Sequence, residues 1–102
     1  MANTIKPLSR ELLTTTTSTT LYTVPVSTTT VVTNIVVSNI TSSAATVTLS
    51  LDDIALLSEV SIAANSATAI DLKQALTAGQ TIKGGAGTGS ALNIHITGVE
   101  IA

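Results

Sequence analysis

The chain has 102 residues, a length that suffices for a single domain with a thin core. Its net charge is −2, and few of its side chains are charged. It contains no cysteine and one histidine, so neither a disulfide nor a Cys/His zinc site can support the fold. The four basic residues are scattered and Tyr22 is the only aromatic residue, which argues against nucleic-acid binding. No apolar run approaches the roughly 20 residues of a membrane span.

Residues 1–13 differ in composition from the rest of the chain. They hold two of the four basic residues and Pro7, which lacks an amide hydrogen and is tolerated in a sheet only at an edge. The sequence predicts an N-terminal arm over 1–13, leading into a first strand near 10–15, and one β-sandwich domain over 14–102. We expect the arm to contact a neighbouring subunit; a frayed terminus is the alternative. The candidate contact residues are Ile5, Lys6, Pro7, Leu8, Arg10, Leu12 and Leu13.

Threonine and serine fill 31 of the 102 positions and alternate with Val, Ile and Leu. Alternation with a period of two is typical of half-buried strands, because successive side chains of a strand point to opposite faces. Strands are predicted at 10–15, 21–24, 29–39, 46–51, 59–63, 67–72, 81–83 and 92–101. Residues 71–76 are compatible with one helical turn, and 84–90 with a glycine-rich loop.

The strand 29–39 is apolar on both faces, with Val32 and Val36 on the face opposite Val31 and Ile35. Such a pattern indicates a central strand, or a strand whose outer face meets another subunit. Val32 and Val36 are therefore a candidate self-association face.

The last predicted strand, 92–101, changes face along its length. Its apolar residues share one face as far as Ile96 and then shift to Val99 and Ile101. Because a bulge inserts one residue into a strand, this shift predicts a β-bulge at Thr97-Gly98. Seven to eight short strands with turns between them predict an all-β fold, an antiparallel β-sandwich. The pattern leaves up-and-down, jelly-roll and immunoglobulin-like topologies open.

The residues with reactive or ligating side chains lack the patterns that catalysis or ligand binding requires. The segment 84–90 has serine where a phosphate loop needs lysine, and a strand follows it instead of a helix. Asp52, Asp53 and Glu59 lack the ligand spacing of a Ca²⁺ loop and indicate a solvated turn. His95 lies between two isoleucines and is expected at a surface or interface. We expect no catalytic residues, no metal and no cofactor.

The strand patterns resemble those of small β-sandwich structural proteins encoded among the virion genes of tailed bacteriophages. The resemblance covers about residues 20–102 and leaves the arm outside it. Its segments are 21–25 (LYTVP), 30–39 (TVVTNIVVSN), 45–49 (ATVTL), 60–66 (VSIAANS), 70–72 (IDL), 78–82 (AGQTI) and 94–101 (IHITGVEI). The chain departs from the pattern at Ser27-Thr28 and at Gly79-Gln80, where the family often has glycine and Gly-Asp.

This resemblance implies a virion component, of the head decoration, head-fibre or tail-associated type. We expect a non-enzymatic capsid decoration or cement subunit at the surface of the phage particle, with the major capsid protein, other virion proteins and copies of itself as partners. No nucleic-acid or membrane partner is expected. The alternative is a receptor- or glycan-binding adhesion module of the head fibre, tail or baseplate, acting through the hydroxyl-rich segments 14–20 and 84–90. An enzyme is a third, more distant hypothesis.

Overall fold

A computed structural model describes residues 3–16, 18–89 and 91–102. Met1 and Ala2 of the predicted arm, Thr17 of the threonine run and Ser90 of the predicted loop lie outside the described residues. The strands are β1 (Asn3–Leu12), β2 (Thr20–Thr23), β3 (Thr29–Asn39), β4 (Ala45–Leu51), β5 (Ile54–Ile62), β6 (Ala67–Leu76), β7 (Thr81–Ala86) and β8 (Leu92–Ile101). In these ranges no helix is long and apolar enough to cross a membrane.

The eight strands form two four-stranded sheets with the orders β1-β8-β3-β6 and β2-β7-β4-β5, and all described pairings are antiparallel. Every connection except the β4–β5 hairpin crosses from one sheet to the other. An immunoglobulin-like sandwich groups its first two strands in one sheet, whereas this order is that of a jelly roll. The predicted antiparallel β-sandwich is therefore confirmed, and the topology is the jelly-roll alternative.

The core lies between the sheets and consists of aliphatic side chains at alternate positions. Val47, Leu49 and Leu51 of β4 point inward, as the alternation predicts. Each such side chain contributes roughly 1.5–3 kcal/mol when it is fully buried. The largest fully buried aliphatic residues are Leu13, Ile35, Leu49, Ile62, Ile82, Leu92, Ile94 and Ile96.

The β4–β5 hairpin turns through Asp52 and Asp53, where a turn was predicted. Both residues have positive φ, 51° and 60° respectively. A two-residue loop with positive φ at both positions is a type I′ turn, whose twist matches that of the flanking strands. Aspartate tolerates this region better than most residues with a side chain.

The structure corrects the expected start of the first strand. β1 begins at Asn3 and pairs with β8 as far as Leu12, opposite Asn93. Residues 3–12 of the predicted arm thus lie in a sheet. The reason is that β1 is an edge strand, where the missing amide hydrogen of Pro7 costs no ladder hydrogen bond.

The bulge predicted at Thr97-Gly98 is wrong for β8 itself, because the extra residues lie in the two flanking strands. β1 carries Leu8 as an extra residue and β3 carries Thr33. β8 keeps its alternation, so that Gly98 is buried. A Cβ atom on Gly98 would lie 2.5 Å from the backbone oxygen of Val31, and only glycine permits this close approach.

Three local predictions in the second half are also corrected. The predicted helical turn at 71–76 is the end of β6, because pairing with β3 stabilises an extended backbone there. Gly84 and Gly85, assigned to a loop, are buried in β7. Val60 was expected inward but is 38% exposed, since the edge strand β5 is irregular around Glu59, whose φ is +50°.

Candidate interaction surface

Four of the predicted contact residues lie on the outer side of β1 and face away from the core. Ile5 is 79% exposed and Leu12 is 44% exposed, and Pro7 and Arg10 are exposed as well. Val36, predicted as part of a self-association face, also points outward, from the centre of β3. The structure therefore brings residues from both predicted contact sets onto one sheet face.

The other predicted contact residues are directed elsewhere. Leu13 and Val32 are buried in the core, which corrects their assignment to a contact surface. Val32 is buried because the extra residue Thr33 interrupts the alternation of β3. Side chains before and after Thr33 therefore alternate in opposite phase, and Val32 and Val36 lie on opposite faces. Leu8 is half-buried against the core. The fourth residue, Lys6, forms an ion pair with Glu100.

The outer face of the β1-β8-β3-β6 sheet consists of four cross-strand rows. We call it the outer face below. In the order β1, β8, β3, β6 the rows are Ile5–Val99–Val31–Ala75, Pro7–Thr97–Asn34–Asp71, Arg10–His95–Val36–Ala69 and Leu12–Asn93–Ser38–Ala67. Nine of these sixteen residues are apolar and only Arg10 and Asp71 carry a formal charge at neutral pH. A solvated sheet face normally carries more polar side chains.

A polar cluster at one end of the sandwich joins the two sheets. Tyr22 of β2 donates its hydroxyl hydrogen to Glu100 Oε2 of β8, at 2.5 Å. The phenol has one hydrogen, so the bond of 2.8 Å to the Thr30 hydroxyl is donated by Thr30. Lys6 Nζ lies 3.3 Å from Glu100 Oε1 and ties β1 to the same cluster.

The cluster fixes the protonation states of its two acidic groups. Burial, reinforced by the hydrogen bond to Glu100, raises the pKa of Tyr22 to about 12. The hydrogen bond from Tyr22 lowers the pKa of Glu100, and Lys6 lowers it further. The phenol therefore stays protonated and the carboxylate charged near neutral pH, which gives the pair a structural role.

Sequence reasoning missed this cluster because it assumed a bulge in β8. Strict alternation from Leu92 onward would have placed Glu100 on the inner face, where a charge needs partners. The sequence offered two candidate partners for Glu100. They were Tyr22, the only aromatic residue, and Lys6, a basic residue next to Pro7.

The remaining candidates do not converge on a reactive centre. Lys83 Nζ pairs with Asp53 at 2.8 Å, beside the β4–β5 turn. His95 is exposed and lies opposite Arg10 on the outer face. Among the described residues, no three His, Cys, Asp or Glu side chains lie close enough together to hold a metal ion.

The two hydroxyl-rich segments, in contrast, lie against each other. Ala86 N donates to the Thr14 carbonyl oxygen at 2.8 Å, and Gly84 N donates to that of Thr19 at 3.0 Å. Gly85 must be glycine here, because its Cβ would lie 2.6 Å from the Thr16 carbonyl oxygen. The described parts of 14–20 and 84–90 therefore form one continuous surface.

No family model and no curated protein matches the sequence. Solved structures with a similar chain include the extra small virus particle of the giant freshwater prawn Macrobrachium rosenbergii, with 13% identity and a TM-score of 0.48 over 100% of this chain and 81% of that one. An exo-β-1,3-galactanase of Phanerochaete chrysosporium has 15% identity and a TM-score of 0.48 over 95% of this chain, which spans 29% of the galactanase chain. A pentameric capsid protein isolated from metagenomic phage sequences has 16% identity and a TM-score of 0.35, over 96% of this chain and 58% of that one. Viral capsid proteins are thus among the structural neighbours, but similarity at this level does not define a function.

Proposed function

We propose that the chain is a non-enzymatic structural subunit of a phage virion, a capsid decoration or cement protein at the surface of the head. The strand patterns of residues 20–102 support a virion protein. The jelly-roll topology is compatible with this role, since capsid and lectin domains both use it. In this proposal the subunit works by binding proteins, and many weak contacts repeated by the symmetry of the shell hold it in place.

The observation that carries the proposal is the position of the large exposed apolar side chains. Single exposed apolar residues are normal, whereas groups of them mark interaction sites. Five of the seven in the described residues lie on β1 and β5, which are edge strands on opposite sides of the sandwich. On β1 they are Ile5 and Leu12; on β5 they are Ile54, Leu56 and Val60.

Two residues of the β5 group, Ile54 and Leu56, border an open seam between the two sheets. Ile54 is 71% exposed, and a cavity of about 330 Å³ lies beside it, lined also by Leu56 of β5 and Leu76 of β6. We assign this β5 seam to the contact with the major capsid protein, because a cavity of this size accepts apolar side chains of a partner. The outer face, apart from Ala75 at the rim of this cavity, is then free for neighbouring subunits.

Rebinding to phage particles that lack the subunit tests this assignment. Ile54→Lys and Leu56→Lys place a charge in the seam and should abolish binding of the purified chain to the particles. Ile40→Lys is the matched control, because Ile40 is 58% exposed in the loop between β3 and β4 and should bind normally. Undiminished occupancy by both seam variants would refute the assignment. Deletion of residues 1–13 is a poor test, because it removes β1 and the buried Leu13.

One observation favours a second candidate function, a glycan-binding adhesion module. The hydroxyl-rich segments 14–20 and 84–90 form one surface, where Thr15 and Thr88 are exposed. A glycan array with the purified chain separates the two functions. Specific binding that is lost in Thr15→Ala/Thr88→Ala would favour adhesion, whereas an array without specific binding leaves the decoration subunit as the better account.

A further inference from the structure

The edges of the β1-β8-β3-β6 sheet are protected against pairing with another chain. β1 has Pro7 and the extra residue Leu8 near its middle. β6 has two extra residues, Leu72 and Lys73, opposite the single extra residue of β3. Proline, bulges and lysine on edge strands all oppose main-chain pairing with a neighbour. A partner of this sheet must therefore use its outer face.

The outer face has a gradient of side-chain size from one edge to the other. The four positions on β1 carry bulky side chains, and three of the four on β6 are alanine. The two edges read Ile5, Pro7, Arg10, Leu12 on β1 and Ala75, Asp71, Ala69, Ala67 on β6, row by row. The side chains thus protrude further from the sheet along the β1 edge than along the β6 edge. A flat surface cannot contact both edges of such a face at once.

We infer that the outer face binds the same face of a second copy of this chain, around a two-fold axis that runs along the strands between β8 and β3. This axis places β1 of each copy over β6 of the other. Ile5 then lies over Ala75 of the second copy and Leu12 over its Ala67, so that large side chains of one copy face alanines of the other. An isologous contact of this kind requires a self-complementary surface, which the gradient provides.

The charges of the face fit the same arrangement. Arg10 lies on the β1 edge and Asp71 on the β6 edge, in neighbouring rows. Under the two-fold axis each Arg10 approaches Asp71 of the other copy with an offset of one row, roughly 7 Å along the strand, which an arginine side chain spans. The Asp71 carboxylate is held in place by Asn34 Nδ2, at 3.0 Å. The two formal charges of the four rows are thus paired across the dimer, and Lys73 lies outside the rows, in the bulge of β6.

The area of the face is sufficient for a specific dimer. Four strands spaced about 4.8 Å apart and ten residues long at about 3.3 Å per residue cover roughly 600 Å² on each copy. Two such faces bury roughly 1,200 Å² or more, which reaches the range of specific protein interfaces. The inference deepens the proposed function by naming the partner of one of its two surfaces, and it is tested without phage particles.

Analytical ultracentrifugation of the purified chain gives the first test. We expect a dimer that dissociates on dilution and no larger species. Val99→Lys puts a charge next to the axis and should weaken the dimer by at least about tenfold. Ser61→Lys, on the outer side of the other sheet, is the control and should leave it unchanged. A monomer at all concentrations, or a dimer unaffected by Val99→Lys, would overturn the inference.

Introduced cysteines test the geometry, because the chain has none of its own. A mixture of Ile5→Cys and Ala75→Cys chains should form a disulfide-linked dimer on oxidation. Ile5→Cys alone should not, because the two copies of this residue lie at opposite edges of the interface. Cross-linking of Ile5→Cys with itself, or none in the mixture, would contradict the two-fold arrangement.

A charge exchange gives an independent readout. Arg10→Asp and Asp71→Arg should each weaken self-association, and a mixture of the two variants should form a heterodimer with both ion pairs restored. A mixture that stays monomeric while the wild type dimerises would refute the pairing. Failure of particle binding with an intact dimer would instead count against the proposed function alone.

Discussion

Gly98→Ala adds one carbon atom where β8 lies in close contact with β1 and β3. The new Cβ would lie 2.5 Å from the Val31 backbone oxygen and 2.8 Å from Leu8 Cδ1. Ordinary van der Waals contact begins at about 3.4 Å, so the backbone of β3 would have to move by about 0.9 Å. Because β3 is a central strand paired on both sides, such a shift disturbs the pairing with β6 as well.

The expected loss in the free energy of unfolding is about 1–3 kcal/mol, the range for overpacked interiors. Alanine also restricts the unfolded chain, which offsets about 0.4–1 kcal/mol of that loss. Gly89→Ala is the matched control, since its Cβ would have only the Thr15 methyl group within reach, at 3.6 Å. This control is expected to be neutral or slightly more stable than the wild type.

Urea denaturation of the three proteins, followed by circular dichroism, measures the effect. The midpoint should fall for Gly98→Ala with an unchanged m-value, which would show a change in stability without a change in the surface exposed on unfolding. Equal stability of Gly98→Ala and Gly89→Ala would refute the argument, because the close approach of β3 to β8 would then carry no cost.

The other predictions concern the polar cluster and the core. Tyr22 is the only tyrosine, so absorbance at alkaline pH should show a midpoint near pH 12 in the folded chain. The folded pKa lies above the ordinary value of 10.0, so the stability contributed by the protonated phenol is complete below pH 10 and is lost as the pH rises towards 12. The pKa of Glu100 is lowered in the folded chain, so the stability that its carboxylate contributes is present above pH 4.5 and is lost as the pH falls through the folded pKa. Glu100→Gln removes this titration, so the urea midpoint should depend less on pH in the acid range. Ile35→Ala, at a fully buried position, should cost about 2–5 kcal/mol in urea denaturation, whereas Val26→Ala, at an exposed one, should stay within about 0.5 kcal/mol.

Much of the fold was predictable because the alternation of side chains is a local property. The strand predicted at 29–39 coincides with β3, and the inward residues of 46–51 are those of β4. Alternation also excluded a helical fold. It could not choose among the three sandwich topologies, because strand order depends on which distant segments pair.

The features that the sequence did not predict depend on the pairing of each strand with its neighbours in the sheet. The extra residues Leu8 of β1 and Thr33 of β3 are defined by their pairing with β8, which is far away in the sequence. For the candidate site, the exposure of Ile5 and Arg10 was predictable from their surroundings. Their place on one face with Val36 was not, since it follows from the position of β8 between β1 and β3.

The central position of β8 also has a consequence for how the chain reaches its native state. β1 and β3 have β8 as a shared neighbour, and β8 comes last in chain order. The first sheet therefore closes only when a segment some eighty residues downstream of β1 arrives, and contacts of such long sequence separation slow folding. Until then β1 lacks its neighbour, so during biosynthesis Ile5 and Leu12 are accessible to chaperones before they are accessible to any assembly partner.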